Sequence, residues 1–452
     1  MTRVLTLRSR FLGIPVWNIR DEENENRERL SILKDGKTIY EFLLPISKDS
    51  MAVTREPDFY DYLQIIGMTR NLFYPDYMTK ADDNLKSGDE IMITGDLPDR
   101  FFELVTEVDI LPYYEECLLH YHAPYGFASD PNGLIYDNGV WHVYHQHNPL
   151  GCGWANMSWG HAVTKDFIHY SFEGDVLFPD ELGVMYSGSA IKNDKGFFGL
   201  ARDAILYFYT CAGNAPYKGK KEPPFNYRRG KSVQRMAYSL DGGKTLLKYP
   251  GFELDLKGSE NRDPKVFFFR ENGVFIMIVY LEKNSFAILR SENLRDWEKT
   301  QELDLVPMWE CPDLVEISDT SGNRRWALLS ADGYYYMGKF DGFKFRFEGV
   351  MRGLYDDRTP YAGQTFSNVK GRTVAMSWLR VPNSGERFTG YLSLPRELSL
   401  DRDENGYYIR QSFARELDNF IEEDDDGWQV IRDINITERI DPTGKRLSVT
   451  VK

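Results

Sequence analysis

Short apolar runs with a two-residue alternation dominate the chain. "TIYEFLLPI" (38–46), "EIMITGDL" (90–97), "GLIYDNGVWHVYHQ" (133–146), "AILYFYTC" (204–211), "KVFFFRENGVFIMIVY" (265–280), "RRWALLSA" (324–331) and "TVAMSWLR" (373–380) are the clearest. Alternation at period two sends successive side chains to opposite faces of a strand. Several runs are joined or followed by Asp-Asn-Gly, Glu-Asn-Gly or Asp-Gly-Gly, the turn chemistry of antiparallel hairpins. Helical periodicity is scarce, so the pattern predicts an all-β protein.

A weak repeat begins near residue 130: a Pro or small residue, an apolar strand, a tight turn, a second strand. Its starting points are Pro131, Ser189, Pro264, Pro312 and Thr365. Their spacing approaches the roughly 40–50 residues of a propeller blade, and the longest interval holds an evident insertion, "GNAPYKGKKEPPFNYRRGK" at 213–231. Five units predict a five-bladed β-propeller. The innermost strand of each blade would line a central channel, so equivalent strand starts would meet from distant parts of the chain. Acidic residues stand at three of these starts: Asp130 in "FASDPNG", Asp263 in "NRDPKVF" and Glu310 in "WECPDLV". Three carboxylates facing one cavity repel one another unless paired or partly protonated, the condition that acid–base chemistry exploits. Taken alone, "DPNG" reads first as a turn, because Pro131 presets its φ and Gly133 tolerates positive φ.

The expected organisation is an N-terminal β-sandwich-like unit at 1–117, the propeller at 118–402, and a C-terminal segment at 403–452. The last carries "WQVIRDINITERI" and "KRLSVTVK", whose strands are expected to pack on the N-terminal unit.

Composition narrows the chemistry. The chain has 452 residues, 42% hydrophobic and 14% aromatic, enough for more than one core. Its formal charge of −14 argues against nucleic acid or an anionic membrane surface as partner, since both attract basic faces. The start lacks a secretory-signal pattern and no run reaches the ~20 apolar residues of a membrane span. The cytoplasm is therefore expected, with secretion the alternative if a leader has been removed. Cys117, Cys152, Cys211 and Cys311 lie far apart without a paired motif, which argues against a disulfide scaffold or a zinc knuckle.

The run of "SDPNG", "YHQHNP", "WANMSWGHAVTKDFIHY", "YSGSA", "VQRMAYSLDGG", "NRDPKVF", "WECPDLV" and "YLSLPRELSL", in that order from about His120 to Leu400, resembles glycoside hydrolase family 32, the β-fructofuranosidases. The resemblance implies a five-bladed propeller and hydrolysis, with retention, of terminal β-fructofuranosyl bonds in sucrose, fructo-oligosaccharides or fructan. It implies Asp130 as nucleophile, Glu310 as acid/base and Asp263 as transition-state stabiliser. Ser129, Asn132, Gln146, Trp154, Asn156, Ser187, Arg262 and Asp313 carry over as sugar-binding positions, with no cofactor and no metal. For Trp154, sugar stacking competes with core packing; Asn156 and Ser187 serve equally well as strand-end hydrogen-bonders. A retaining pair also needs opposed protonation states. Trp309 and Cys311 suggest a low-polarity surrounding that raises the Glu310 carboxyl, while polar Ser129 and Asn132 leave Asp130 charged. The N-terminal unit resembles, through "FLGIPV" and "EPDFYDYLQI", an accessory domain ahead of the propeller in some bacterial fructan hydrolases.

Phe127, Ala128 and Ser129 depart from the Trp-Met-Asn usual before Asp-Pro-Asn-Gly, exchanging an amide for a hydroxyl beside the nucleophile. Other readings are a fructosyltransferase, a sucrose-6-phosphate hydrolase using the basic insertion, and a non-catalytic carbohydrate-binding propeller. His142, His145 and His147 sit close in sequence, but strand alternation sends His142 to the face opposite the other two, so packing is expected over metal binding.

Overall fold

A computed structural model of the chain describes residues 2–8, 11–15, 27–45, 63–66, 88–97, 101–102, 105–108, 119–180, 182–215, 230–256, 258–382 and 388–451. Most of the basic insertion, Cys117 and residues 56–62 of "EPDFYDYLQI" lie outside them. Among the described residues no helix is long and apolar enough to cross a membrane.

The architecture is all-β. Residues 126–413 form five successive antiparallel sheets, each built on four strands in chain order apart from short added pairings. Their first strands are Gly126–Asp137, Val184–Lys192, Arg262–Phe269, Asp313–Ser318 and Pro360–Thr365. The hairpin turn at Asn138–Gly139 has φ of 49° and 83°, and that at Asp35–Gly36 has 51° and 76°. Two consecutive positive φ values match the right-handed twist of the flanking strands, which is why these dipeptides sit there.

Strand alternation explains how the sheets pack. In Ile205–Ala212, Tyr207 and Tyr209 join a core with Tyr144 and Trp159 of the first sheet, while Leu206 and Phe208 join one with Phe275 and Met277 of the third. The third sheet turns Ile276 and Ile278 towards Leu314 and Leu328 of the fourth. Ala327 and Met337 of the fourth meet Leu379 and Leu398 of the fifth. Val374 and Met376 of the fifth meet Trp141 and Val143 of the first, so the succession of cores returns to its start. A strand buried on both faces must read as a continuous apolar run, as "AILYFYTC" and "VFIMIVY" do.

In the N-terminal part, Thr2–Thr6, Glu90–Gly95, Arg27–Lys34 and Lys37–Pro45 make one sheet in that spatial order, and Leu63–Ile66, Phe11–Pro15 and Thr106–Val108 a second. Their core includes Ile14, Leu30, Ile32, Phe42 and Ile93, and it also takes in Tyr125, Leu150 and Phe178, which flank strands of the first of the five sheets.

The C-terminal strands differ from expectation in their partner. Among the described residues, Ile431, Ile436, Ile440 and Leu447 pack with Leu398, Ile409 and Phe413 of the fifth sheet and Ile317 of the fourth, and not with the N-terminal unit. The fifth sheet itself runs past residue 402, through Gly406–Phe413. A buried polar clasp reinforces this docking. Asp433 Oδ2 accepts the backbone N–H groups of Leu119 and His120 and pairs with His120 Nδ1 at 3.0 Å, while Glu438 Oε1 pairs with His120 Nε2 at 3.0 Å.

Candidate active site

The first strands break register at corresponding places. The shift falls between Ala128 and Pro131, between Met185 and Gly188, between Arg262 and Lys265, and between Tyr361 and Gln364. Bulges re-aim side chains that regular pairing would send alternately to the two faces of the sheet. Those released here include Ser129, Asp130, Tyr186, Ser187 and Asp263, and all five line one cavity of about 440 Å³. In the fourth sheet Glu310 and Cys311 precede the strand with φ of 24° and 43°, and Asp263 has φ of 64°. Side-chain-bearing residues in this region carry strain of ~1–3 kcal/mol each and persist where their surroundings over-determine them. The glycine of "YSGSA" is required by close approach: a Cβ on Gly188 would lie 2.1 Å from the Phe208 carbonyl oxygen.

Asp130, Asp263 and Glu310 thus enter the cavity from the first, third and fourth sheets. Ser187 Oγ donates to Asp130 Oδ2 at 2.8 Å. Cys311 N donates to Asp263 Oδ2 at 3.1 Å. The Cys311 Sγ lies 3.6 Å from Asp130 Oδ2 and 3.4 Å from Asp263 Oδ2, so its one S–H bridges the two acids. Burial holds that thiol protonated, reinforced by the surrounding carboxylates. Glu310 receives Arg262 Nε on Oε2 at 2.9 Å and the Tyr361 hydroxyl on Oε1 at 2.6 Å. The Arg262 guanidinium in turn lies over the Tyr280 ring, 4.5 Å from its centroid.

Burial, and then the Glu310 charge, push Asp130 up to about 6, against the hydrogen bonds from Ser187 and Cys311. Burial raises Asp263 to about 7 despite Arg262 beside it, with Glu310 and Asp130 adding to the rise. The surroundings expected for these acids are therefore exchanged. Trp309 is 37% exposed and makes no apolar pocket for Glu310, whose oxygens face a cation and a phenol. Asp130 lines the cavity half-buried, turned inward by its bulge.

Gln146, Trp154, Ser187, Arg262 and Ser129 line the cavity with the acids. Asn132 stands behind them: with its amide turned to suit its neighbours, it donates to Ser187 Oγ at 3.1 Å and accepts from Gln146 Nε2 at 2.9 Å. Gln146 Oε1 is left buried without a partner, a free acceptor in the lining. Asp313 is not in the lining; its Oδ2 holds Lys265 Nζ at 3.0 Å and accepts Thr365 N and Oγ1, each at 2.7 Å. Asn156 also stands apart, with both amide atoms bonded to the Leu43 backbone. Phe127 packs edge-on against Trp378 at 5.9 Å.

Tyr186, Tyr361 and Trp378 belong to the lining but were not singled out from the sequence. Tyr186 lies in "YSGSA" beside Ser187 and Trp378 in the strand "TVAMSWLR", and only the first adjoins a candidate site residue. The close histidines take separate partners: His142 meets His161, His145 meets Tyr121, and His147 meets Asp175 and the Tyr125 carbonyl.

Four carboxylates, Asp130, Glu260, Asp263 and Glu310, surround the cavity with the Arg262 guanidinium and two aromatic pairs, a lining able to hydrogen-bond a polyhydroxylated ligand and to exchange protons with it. The family model "Glycosyl hydrolases family 32 N-terminal domain" matches residues 120–412, well over half the chain, and the chain belongs to that family. A levanase from Bacillus subtilis is 30% identical over 344 residues, covering 68% of this chain and 48% of the levanase. The chain thus spans about half the length of the levanase. A fructofuranosidase variant from Schwanniomyces occidentalis, complexed with fructosylnystose, matches with TM-score 0.59 and 26% identity over 68% of this chain and 64% of that one. The exo-inulinase of Aspergillus awamori shares the fold with TM-score 0.65 at 18% identity, covering 75% of this chain and 94% of that one.

Proposed function

We propose that this chain is a retaining β-fructosidase that releases fructose from the non-reducing ends of sucrose, fructo-oligosaccharides or fructan. The observation that carries this is the meeting of Asp130, Asp263 and Glu310, from three sheets, in one cavity. Five sheets whose cores run in a closed succession support a five-bladed propeller, and two small N-terminal sheets sharing a core support a sandwich-like accessory unit. Asp130 is the nucleophile: fixed by Ser187, its carboxylate attacks the anomeric carbon as the glycosidic bond breaks, and the leaving oxygen takes the proton of Glu310. Asp263 and Arg262 grip ring hydroxyls and support the positive charge that develops at the ring. Glu310 then deprotonates the water that opens the fructosyl ester. Gln146 Oε1 and the Trp154–Tyr186 pair supply a hydroxyl acceptor and an apolar wall.

The test is fructose release from sucrose, a short inulin-type oligosaccharide, levan and sucrose 6-phosphate, beside the Glu310→Ala and Asp130→Asn variants. Release that vanishes in both variants establishes the reading and ranks the substrates. A folded wild-type protein inactive on all four points to sugar binding without turnover. Oligosaccharide products longer than the substrate point to transfer, since a sugar hydroxyl can intercept the same ester.

A further inference from the structure

The wall of the cavity that carries Trp154 is a loop, residues 149–157, between two strands of the first sheet. Its shape is held from both sides. Within the sheet, Asn148 Nδ2 donates to the Gly153 carbonyl at 2.8 Å, and Asn148 Oδ1 accepts Leu150 N at 3.1 Å. From outside comes the strand Lys37–Pro45 of the N-terminal unit, which lies at the edge of its own sheet. Leu43 N donates to Asn156 Oδ1 at 3.0 Å, and Asn156 Nδ2 donates to the Leu43 carbonyl at 3.0 Å. The Asn156 amide acts as a one-residue strand partner, satisfying both backbone groups of an edge residue that would otherwise be left open. Asn156 itself is buried and has φ of 45°, a conformation that asparagine adopts at lower cost than most residues.

We propose that the N-terminal unit positions the sugar-binding wall through this contact: Leu43 holds Asn156, Asn156 fixes the loop, and the loop sets Trp154 against Tyr186, 6.2 Å between ring centroids. Asn156 is a positioning residue, and the N-terminal unit is a working part of the pocket. The inference rests on the fructosidase reading above. It is distinct from sugar contact by Asn156, since neither of its amide atoms is free for a ligand.

The experiment compares wild type with Asn156→Ala, Asn156→Asp, Leu43→Pro, Trp154→Ala and the double variant Trp154→Ala/Asn156→Ala, on the fructoside the wild type prefers. Asn156→Ala is expected to raise KM about tenfold, the worth of one to two lost hydrogen bonds, with kcat within about twofold. Asn156→Asp keeps the acceptor for Leu43 N and should fall between Ala and wild type. Leu43→Pro removes the N–H facing the loop, at an edge where Pro is tolerated, together with the buried Leu43 side chain; it should raise KM in the same direction, and its Tm is measured alongside to separate the packing loss. In the Trp154→Ala background, Asn156→Ala should add little, because two residues acting through one contact are not additive. Backbone amides of 149–157 should exchange hydrogen faster in Asn156→Ala. Unchanged KM with unchanged exchange, or a lowered Tm with unchanged KM, overturns the proposal. Additive losses in the double variant overturn it too. Wild type inactive on every fructoside is instead the failure of the underlying reading.

Discussion

The Tyr361 hydroxyl donates to Glu310 Oε1 at 2.6 Å, while Arg262 Nε occupies Oε2. Both oxygens of the proposed acid/base are thus aimed before substrate arrives, and burial together with the Glu310 charge keeps the phenol itself protonated. Charge-assisted hydrogen bonds of this kind are worth about 1.5–3 kcal/mol. Tyr361→Phe keeps the ring and its edge contact with Trp378, so its effect isolates the hydroxyl. The expected outcome is a fall in kcat/KM of roughly 10- to 100-fold, with Tm little changed. Steady-state kinetics with circular dichroism melts checks it, and activity within twofold of wild type would remove Tyr361 from the site's working parts.

As the proposed nucleophile, Asp130 must be ionised to attack, and its folded-state value is raised to about 6, with its neighbour Asp263 at about 7. Because the acids interact, the acid limb of kcat/KM reports the group rather than one residue. Activity is expected to fall as pH drops through about 7 to 6. Ser187→Ala deletes a donor that favours the charged form of Asp130, so the limb should move to higher pH and the loss should be larger at pH 5 than at pH 8. A pH–rate profile of the two proteins decides it; an unmoved limb would mean that Ser187 does not act on Asp130.

How far the sequence disclosed this site depends on the kind of relation. The strand pattern was legible because period two survives in any sheet, and the Pro and Gly residues beside the bulges mark where pairing fails. Tyr361 was not, since its partner lies 51 residues away and no local pattern links a phenol to a distant acid. Leu43 and Asn156 are 113 residues apart, and their contact uses backbone groups that every residue has. Sequence neighbours do not give the Glu310 surrounding, because Trp309 and Cys311 adjoin it in the chain but differ in environment: one is exposed and the other buried. Alternation likewise shows that the C-terminal strands bury one face, and says nothing about which sheet covers it.

The raised acids also imply a cost to stability. A carboxyl whose folded value exceeds its unfolded one binds protons more tightly when folded, so stability falls as pH rises from about 4 to 6 and the cost is complete above that. For Asp130 the shift corresponds to about 3 kcal/mol. Asp130→Asn keeps the shape and removes the charge. The variant is expected to melt above wild type at pH 7.5, with the difference shrinking towards pH 4, while fructose release is lost. Calorimetry across that range measures it, and a difference independent of pH would show that burial of the Asp130 charge is not its cause.

His120, far from the cavity, contributes stability where Asp130 costs it, and its effect too declines as pH rises. Burial pulls its imidazole down, but hydrogen bonds and charge from Asp433 and Glu438 outweigh this and raise it to about 8 from 6.5. A base whose folded value is raised contributes stability that is fully present below pH 6.5 and lost as pH rises through 8; the shift is worth about 2 kcal/mol. Since Asp433 and Glu438 belong to the C-terminal sheet and His120 to the start of the five sheets, the loss falls on the docking of that segment. Wild-type Tm is expected to decline between pH 6.5 and 9, and the decline to flatten in His120→Gln, which is less stable at pH 6.5 and converges on wild type at pH 9. Hydrogen exchange at 429–451 should rise first on the alkaline side. Parallel Tm curves for the two proteins across this range would show that His120 is not charged in the folded state, leaving a neutral hydrogen-bonded clasp in its place.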